Sequence, residues 1–236
     1  MDIGKLNYMI TFDNLISVIA QYSNKIMYQT KRRILIILLF IFSVLNTQAQ
    51  APYFGIGGNV SVTKINFTNS DGAKSKYKPQ LNFNQNLIVG YNLKNGFASE
   101  LSFGNTVYSG INKSMNHELS MNQIQTSLLL GYLSSGKLNW GVITGVYYGK
   151  ITNVRSTVDG KSIWEATEPA FDKNDFGSAT KLFINFRKDD SRFLFSPNLV
   201  LLFGLKNIEN QDQSLKQTTK LNSFNLGMNI KYQITK

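Results

Sequence analysis

The chain carries a single histidine, His117, inside the stretch Asn116-His117-Glu118-Leu119-Ser120. A histidine near a serine is the minimum needed for a base-assisted hydroxyl nucleophile, the chemistry of an ester or lipid hydrolase. Here the spacing follows no catalytic pattern, and a lone histidine in a polar stretch is more often a solvated side chain. His117 and Glu118 are also too few donors for a metal site, because zinc takes at least three protein ligands. The absence of Cys removes disulfides, thiolate metal sites and cysteine nucleophiles. The sequence thus offers no catalytic residue, no metal ligand and no cofactor-binding residue, and the expectation is a protein that is not an enzyme.

Two other groups of residues carry chemistry of a different kind. Glu100, Lys181 and Lys231 each sit among small and polar residues that alternate with large apolar ones. Charges on such a face must be paired if the face is buried. They would then form a polar plug with Asn82, Asn84, Asn86 and Asn92, or line a narrow ion path. Trp164, with Glu165, Glu168 and Pro169, lies in the longest polar segment, where an exposed Trp could anchor a partner or glycan or pack on its own loop.

The elements that position these residues are strands. Leu138 to Ile151 reads L-N-W-G-V-I-T-G-V-Y-Y-G-K-I. Successive strand residues point to opposite faces, so one face is Leu138, Trp140, Val142, Thr144, Val146 and Tyr148. The other is Asn139, Gly141, Ile143, Gly145, Tyr147 and Gly149. A small face suits a narrow interior and a bulky apolar face suits lipid. On this register Val142→Arg is expected to cost roughly 2–4 kcal/mol and Gly141→Ser to be milder. At ~3.3 Å per residue, such a strand tilted by roughly 45° crosses a ~30 Å hydrocarbon layer. Seven further stretches alternate in the same way, among them Phe54–Val62, Phe83–Leu93, Phe97–Val107 and Phe224–Ile234. The pattern is weakest in the seventh stretch, Phe193–Leu205, where Leu194, Val200 and Leu202 fall on the small face.

Between the stretches, short and long gaps alternate. Lys94-Asn95-Gly96, Ser134–Lys137 and Lys188–Ser191 are turn-like, Asn-Gly most clearly. Longer polar segments span Asn66–Gln80, Ser109–Asn122, Thr152–Asp175 and Lys206–Lys220. Short periplasmic turns and long external loops are the rule in outer-membrane barrels. The aromatics agree. Phe54, Tyr91, Phe97, Tyr132, Trp140, Phe186, Phe193 and Tyr232 share the outward face, each near a short turn or a terminus, as a girdle at one membrane interface requires. Tyr148 and Phe203 sit toward the other interface. The fold expected is all-β: an antiparallel, transmembrane, up-and-down β-barrel of about eight strands with a polar interior.

Three regions follow. Residues 1–26 match neither barrel nor signal and read as an upstream extension ahead of a start at Met27. Residues 27–50 read as a secretory signal peptide: Lys31-Arg32-Arg33, then the apolar run Ile34–Val44, then the small residues around Ala49. Residues 51–236 form the barrel domain, with both mature termini in the periplasm. The formal charge is +11, of which residues 1–50 supply +3. The basic residues are scattered through loops and turns and form no basic helix or stripe, which argues against nucleic acid. Anionic lipid headgroups explain them more simply.

With this signal, the alternating strands and the ending Tyr232-Gln233-Ile234, the chain resembles the PorT-like outer-membrane β-barrel proteins. Phe54-Gly55-Ile56-Gly57-Gly58-Asn59 and Leu87-Ile88-Val89-Gly90-Tyr91 are similar to that family's strands. The resemblance implies a small eight-stranded barrel in the outer membrane, some members of the family being tied to secretion machinery. The function expected is a structural or interaction role through external loops, with outer-membrane lipid and an envelope protein as partners. The alternatives are a narrow pore or an accessory part of secretion, then a lipid-modifying enzyme or a secreted lipocalin-like binder.

Overall fold

The computed structural model describes residues 49–68, 72, 74, 77–93, 96–114, 116–134, 139–162, 171–187, 191–209 and 218–234. The expected extension 1–26, nearly all of the expected export signal 27–50, and Trp164, Glu165, Glu168 and Pro169 lie outside them. The strands are β1 (Ala49–Thr68), β2 (Lys78–Leu93), β3 (Phe97–Asn112), β4 (His117–Leu133) and β5 (Asn139–Val158). A two-residue return, β6 (Lys161–Ser162), precedes β7 (Asn174–Arg187), β8 (Phe193–Gly204) and β9 (Thr218–Gln233). The eight long strands pair antiparallel, each with its neighbours in the chain, and β1 pairs β9 from Tyr53↔Gln233 to Thr68↔Thr218. The sheet therefore closes, and closure removes its edges. No helix among the described residues is long and apolar enough to cross a membrane.

The two faces are inverted relative to a water-soluble barrel. Phe54, Ile56, Val60 and Val62 point outward on β1, with Phe54 52% exposed, while Tyr53, Asn59, Ser61 and Thr63 are buried inside. The same alternation runs through β5, where Trp140, Val142, Val146 and Tyr148 are exposed and Ile143 and Tyr147 are buried. The expected aromatic girdle forms at the short-turn end. Tyr232 packs on both Phe54 (5.4 Å between ring centroids) and Phe193 (5.2 Å), and Tyr132 packs on Trp140 (5.8 Å). Gly96 closes the β2–β3 turn at φ +79°, a backbone conformation that favours glycine.

Two expectations change. The segment Ser109–Asn122 is not a long loop: β3 runs to Asn112 and β4 starts at His117, with Asn112 opposite His117. Its polar composition hides the inward Leu119 and Met121, buried with Tyr108 just before it, which keeps the ladder paired. Likewise β5 continues past Thr152 to Val158, through an irregularity in its register with β4 beside Asn122. The strands thus rise past the apolar belt at the long-loop end.

Gly141→Ser, the milder of the two changes, still carries a cost of its own. A Cβ built on Gly141 would stand 2.4 Å from the ring of Phe183, so this glycine lets the ring lie flat on β5. Gly141→Ser is expected to destabilise by about 1–3 kcal/mol through overpacking, read as a lower urea midpoint for the folded form.

Candidate functional site

The three inward charges meet in the lumen. Glu100 on β3 is 1% exposed, forms an ion pair with Lys181 on β7, and lies 3.5 Å from Lys231 Nζ on β9. The phenol of Tyr53 donates to its second oxygen at 3.0 Å. Lys231 Nζ also lies 4.3 Å from the ring centre of Phe183 and 4.7 Å from that of Tyr53, a cation–π cage. Strand order explains the reach. β7 and β9 each stand three places from β3 around the barrel, so Glu100 braces the lumen from wall to wall.

Beside this brace the amides hydrogen-bond to one another. Asn84 Nδ2 donates to Asn225 Oδ1 and to Ser61 Oγ, both at 3.1 Å. Asn82 Nδ2 donates to Thr63 Oγ1 and Ser109 Oγ, both at 2.8 Å. These side chains also repair the wall. The β2–β3 register is irregular between Pro79 and Gln85. There Asn84 Oδ1 accepts from the Val107 amide (3.1 Å) and Thr63 Oγ1 from the Ser109 amide (3.0 Å). Across the lumen lies an apolar cluster of Leu129, Leu133, Ile143, Tyr147, Phe183 and Leu202. Leu202, which breaks the alternation of its stretch, is buried in this cluster, and Leu194 is buried as well.

A second apolar cluster closes the lumen at the long-loop end. Ile65, Tyr108, Met121, Ile151, Phe171 and Ile208 are among its members. Phe171 and Ile208 come from the connections before β7 and after β8, which are tied by Asp172 N–H to Ile208 O at 2.6 Å and Lys206 Nζ to Asp172 Oδ2 at 2.6 Å. The hydrogen bond from Lys206, with that from the Asn174 amide, holds the Asp172 carboxyl below its ordinary range. Beneath this cap Asp175 is fully buried and accepts from Tyr147 Oη and Gln123 Nε2, both at 2.9 Å.

His117 sits at the start of β4, half-buried at the rim, and not in a loop. Its Nδ1 bonds the phenol of Tyr77, and its Nε2 shares a 2.7 Å hydrogen bond with Ser156 Oγ on β5. Its serine is therefore Ser156, not Ser120. Glu118 turns outward toward Gln80. Burial lowers the imidazole below its ordinary 6.5 and raises the Tyr77 phenol. A base with a lowered folded value keeps its full contribution above about 6.5 and loses it as acid protonates the unfolded chain first. Unfolding midpoints are thus expected to fall as the pH drops below about 6.5. His117→Gln should flatten that fall.

Sequence reasoning placed Glu100, Lys181 and Lys231 on the inner face, and the structure brings them together. It missed Tyr53, Tyr77, Ser156 and Asp175. Tyr53 and Asp175 carried a signal, Tyr53 being in phase with Gly55, Gly57 and Asn59, and Asp175 with Gly177, Ala179 and Lys181. Among the described residues no group of three or more His, Asp or Glu could hold a metal.

No protein-family model matches the chain, and no curated protein matches it. Solved structures do. Neisserial surface protein A is 11% identical, with 77% of this chain and 96% of that one covered and a TM-score of 0.41. The outer membrane protein AlkL, solved in lipid bilayers, is 14% identical over 80% and 92%, with a TM-score of 0.45. Ail of Yersinia pestis, in complex with the heparin analogue sucrose octasulfate, is 12% identical over 77% and 99%, with a TM-score of 0.40.

Proposed function

We propose that this chain is an integral outer-membrane barrel that holds a rigid, non-conducting wall in the bilayer and presents its long-loop rim to the outside. The carrying observation is the exposed belt of Phe54, Ile56, Leu87, Leu101, Leu128, Val146 and Leu226 around a closed sheet. Water would penalise such a belt and hydrocarbon would not. In this reading the short turns, and with them both ends of the barrel domain, face the periplasm, as short turns do in outer-membrane barrels. The work of the protein then falls to the rim, where an envelope protein would dock.

Conduction is the lesser reading. The Glu100 brace spans the lumen, and the Phe171–Ile208 cap packs apolar side chains across its mouth. An enzymatic role has less support still, because Ser156 is 1% exposed and a nucleophile must be reachable by its substrate. Membership of the PorT-like group, and any part in secretion, rest on the strand resemblance alone.

The absence of native Cys gives a clean test. Ser114→Cys, in the turn after β3, should react with an impermeant maleimide on intact cells. Ser191→Cys, at the β7–β8 turn, should react only after lysis. Planar bilayers containing the folded chain should show no unitary current steps. The reverse labelling pattern, or regular steps, would overturn this reading.

A further inference from the structure

On the outside of the barrel, at the long-loop end, Lys64, Lys74 and Lys220 line one cleft of about 370 Å3 with Asn66, Phe203 and Asn222. The register builds it. Across β1 and β9, Lys64 lies opposite Asn222 and Asn66 opposite Lys220, while the bridge Thr68↔Lys74 returns the third lysine to the same wall. All three lysines are exposed, and among the described residues no carboxylate lines the cleft. Among the described residues none of the three forms an ion pair, whereas Lys206 is held by Asp172. Asn222 accepts the Gly204 amide at 3.1 Å through Oδ1, which leaves its own N–H groups as donors. Immediately below, Val62, Phe203 and Phe224 are exposed members of the apolar belt. The cleft stands where the belt gives way to charge, at the depth of lipid headgroups.

We propose that this cleft binds the headgroup of an outer-leaflet lipid that carries phosphate monoesters. Charge selects the occupant. A phosphate monoester brings about −1.5 to −2, so one or two of them match three ammonium groups. A zwitterionic phospholipid brings its own cation and no net charge. The boundary between headgroups and hydrocarbon also strengthens the attraction relative to bulk water. Phe203 would take the first methylenes of the acyl chain, which a soluble anion lacks.

This inference rests on the membrane reading, and the experiment separates the two. The folded full chain is inserted into phosphatidylcholine vesicles, alone or with phosphatidic acid, a bis-phosphorylated glycolipid, or that glycolipid after dephosphorylation. Insertion is checked by flotation and a heat-dependent gel shift, and lipid retained after detergent extraction is measured by mass. Retention should require the phosphate monoester and fall about fivefold for each of Lys64→Gln, Lys74→Gln and Lys220→Gln. Lys113→Gln with Lys161→Gln, at other turns of the rim, should leave it unchanged. Equal retention by the triple variant, or full displacement by inorganic phosphate, overturns the lipid site while leaving the membrane reading intact. Failure to float overturns both.

Discussion

Glu100→Leu is expected to cost the folded barrel about 3–5 kcal/mol, the effect of removing one partner from a buried ionic cluster. The substitution leaves Lys181 and Lys231 facing each other across the lumen and takes the acceptor from Tyr53. Their remaining cation–π contacts with Phe183 and Tyr53 do not replace a carboxylate. Removing the whole cluster is a different matter. The triple change Glu100→Leu, Lys181→Met, Lys231→Met is expected to come back to within about 1–2 kcal/mol of the parent, because no unpaired charge remains. Urea titration of the vesicle-folded protein, followed by the folded fraction on a gel, measures both. A single substitution no worse than the triple one would remove the brace from the account.

The second large effect concerns the opposite face. Val142→Arg and Val146→Arg each place a charge on the exposed side of β5, at about 2–4 kcal/mol near the bilayer centre and less toward an interface. Val142 lies next to girdle residue Trp140, whereas Val146 pairs with Leu128, also in the apolar belt. The cost should therefore be larger at Val146. Val146→Leu should be near neutral. A cost that grows with depth is specific to lipid, since an exposed strand in water would accept arginine at either position. Equal tolerance at both positions in vesicle refolding would contradict the outward register.

These expectations show which layers of the structure can be read from residues. Alternation of side chains is local, so the outward positions of Phe54, Trp140 and Phe193 and the inward positions of Glu100, Lys181 and Lys231 were legible. Their convergence was not. Glu100 and Lys181 are 81 residues apart, and they meet only because closure sets their strands three places apart around the lumen. Extent was misread where polarity stood in for conformation. Ser109–Asn122 looks like a loop by composition, yet Leu119 and Met121 are buried inward and the strands continue. The rim triplet of Tyr77, His117 and Ser156 joins β4 and β5 to the connection before β2, which no local pattern relates. Gly141 was legible as small and inward, but not as the seat of the Phe183 ring.

The cap and the basic cleft belong to the same end of the barrel, and both depend on connections whose sequences show little periodicity. Phe171 and Ile208 close the lumen because their connections are tied to each other and to β9, where Ile208 N–H bonds Thr219 O at 3.0 Å. The long-loop end is thus where apolar closure inside and positive charge outside come together. Among the described residues, the short-turn end is marked by the aromatic girdle.

The central claim is that the apolar face of a closed sheet meets lipid. Its most direct test is to express the chain from Met27, fractionate the cells, and run the detergent-extracted protein on a gel with and without boiling. Recovery in the outer membrane, with a compact band that shifts on heating, is the predicted result. Recovery as a soluble periplasmic protein with no shift would contradict it.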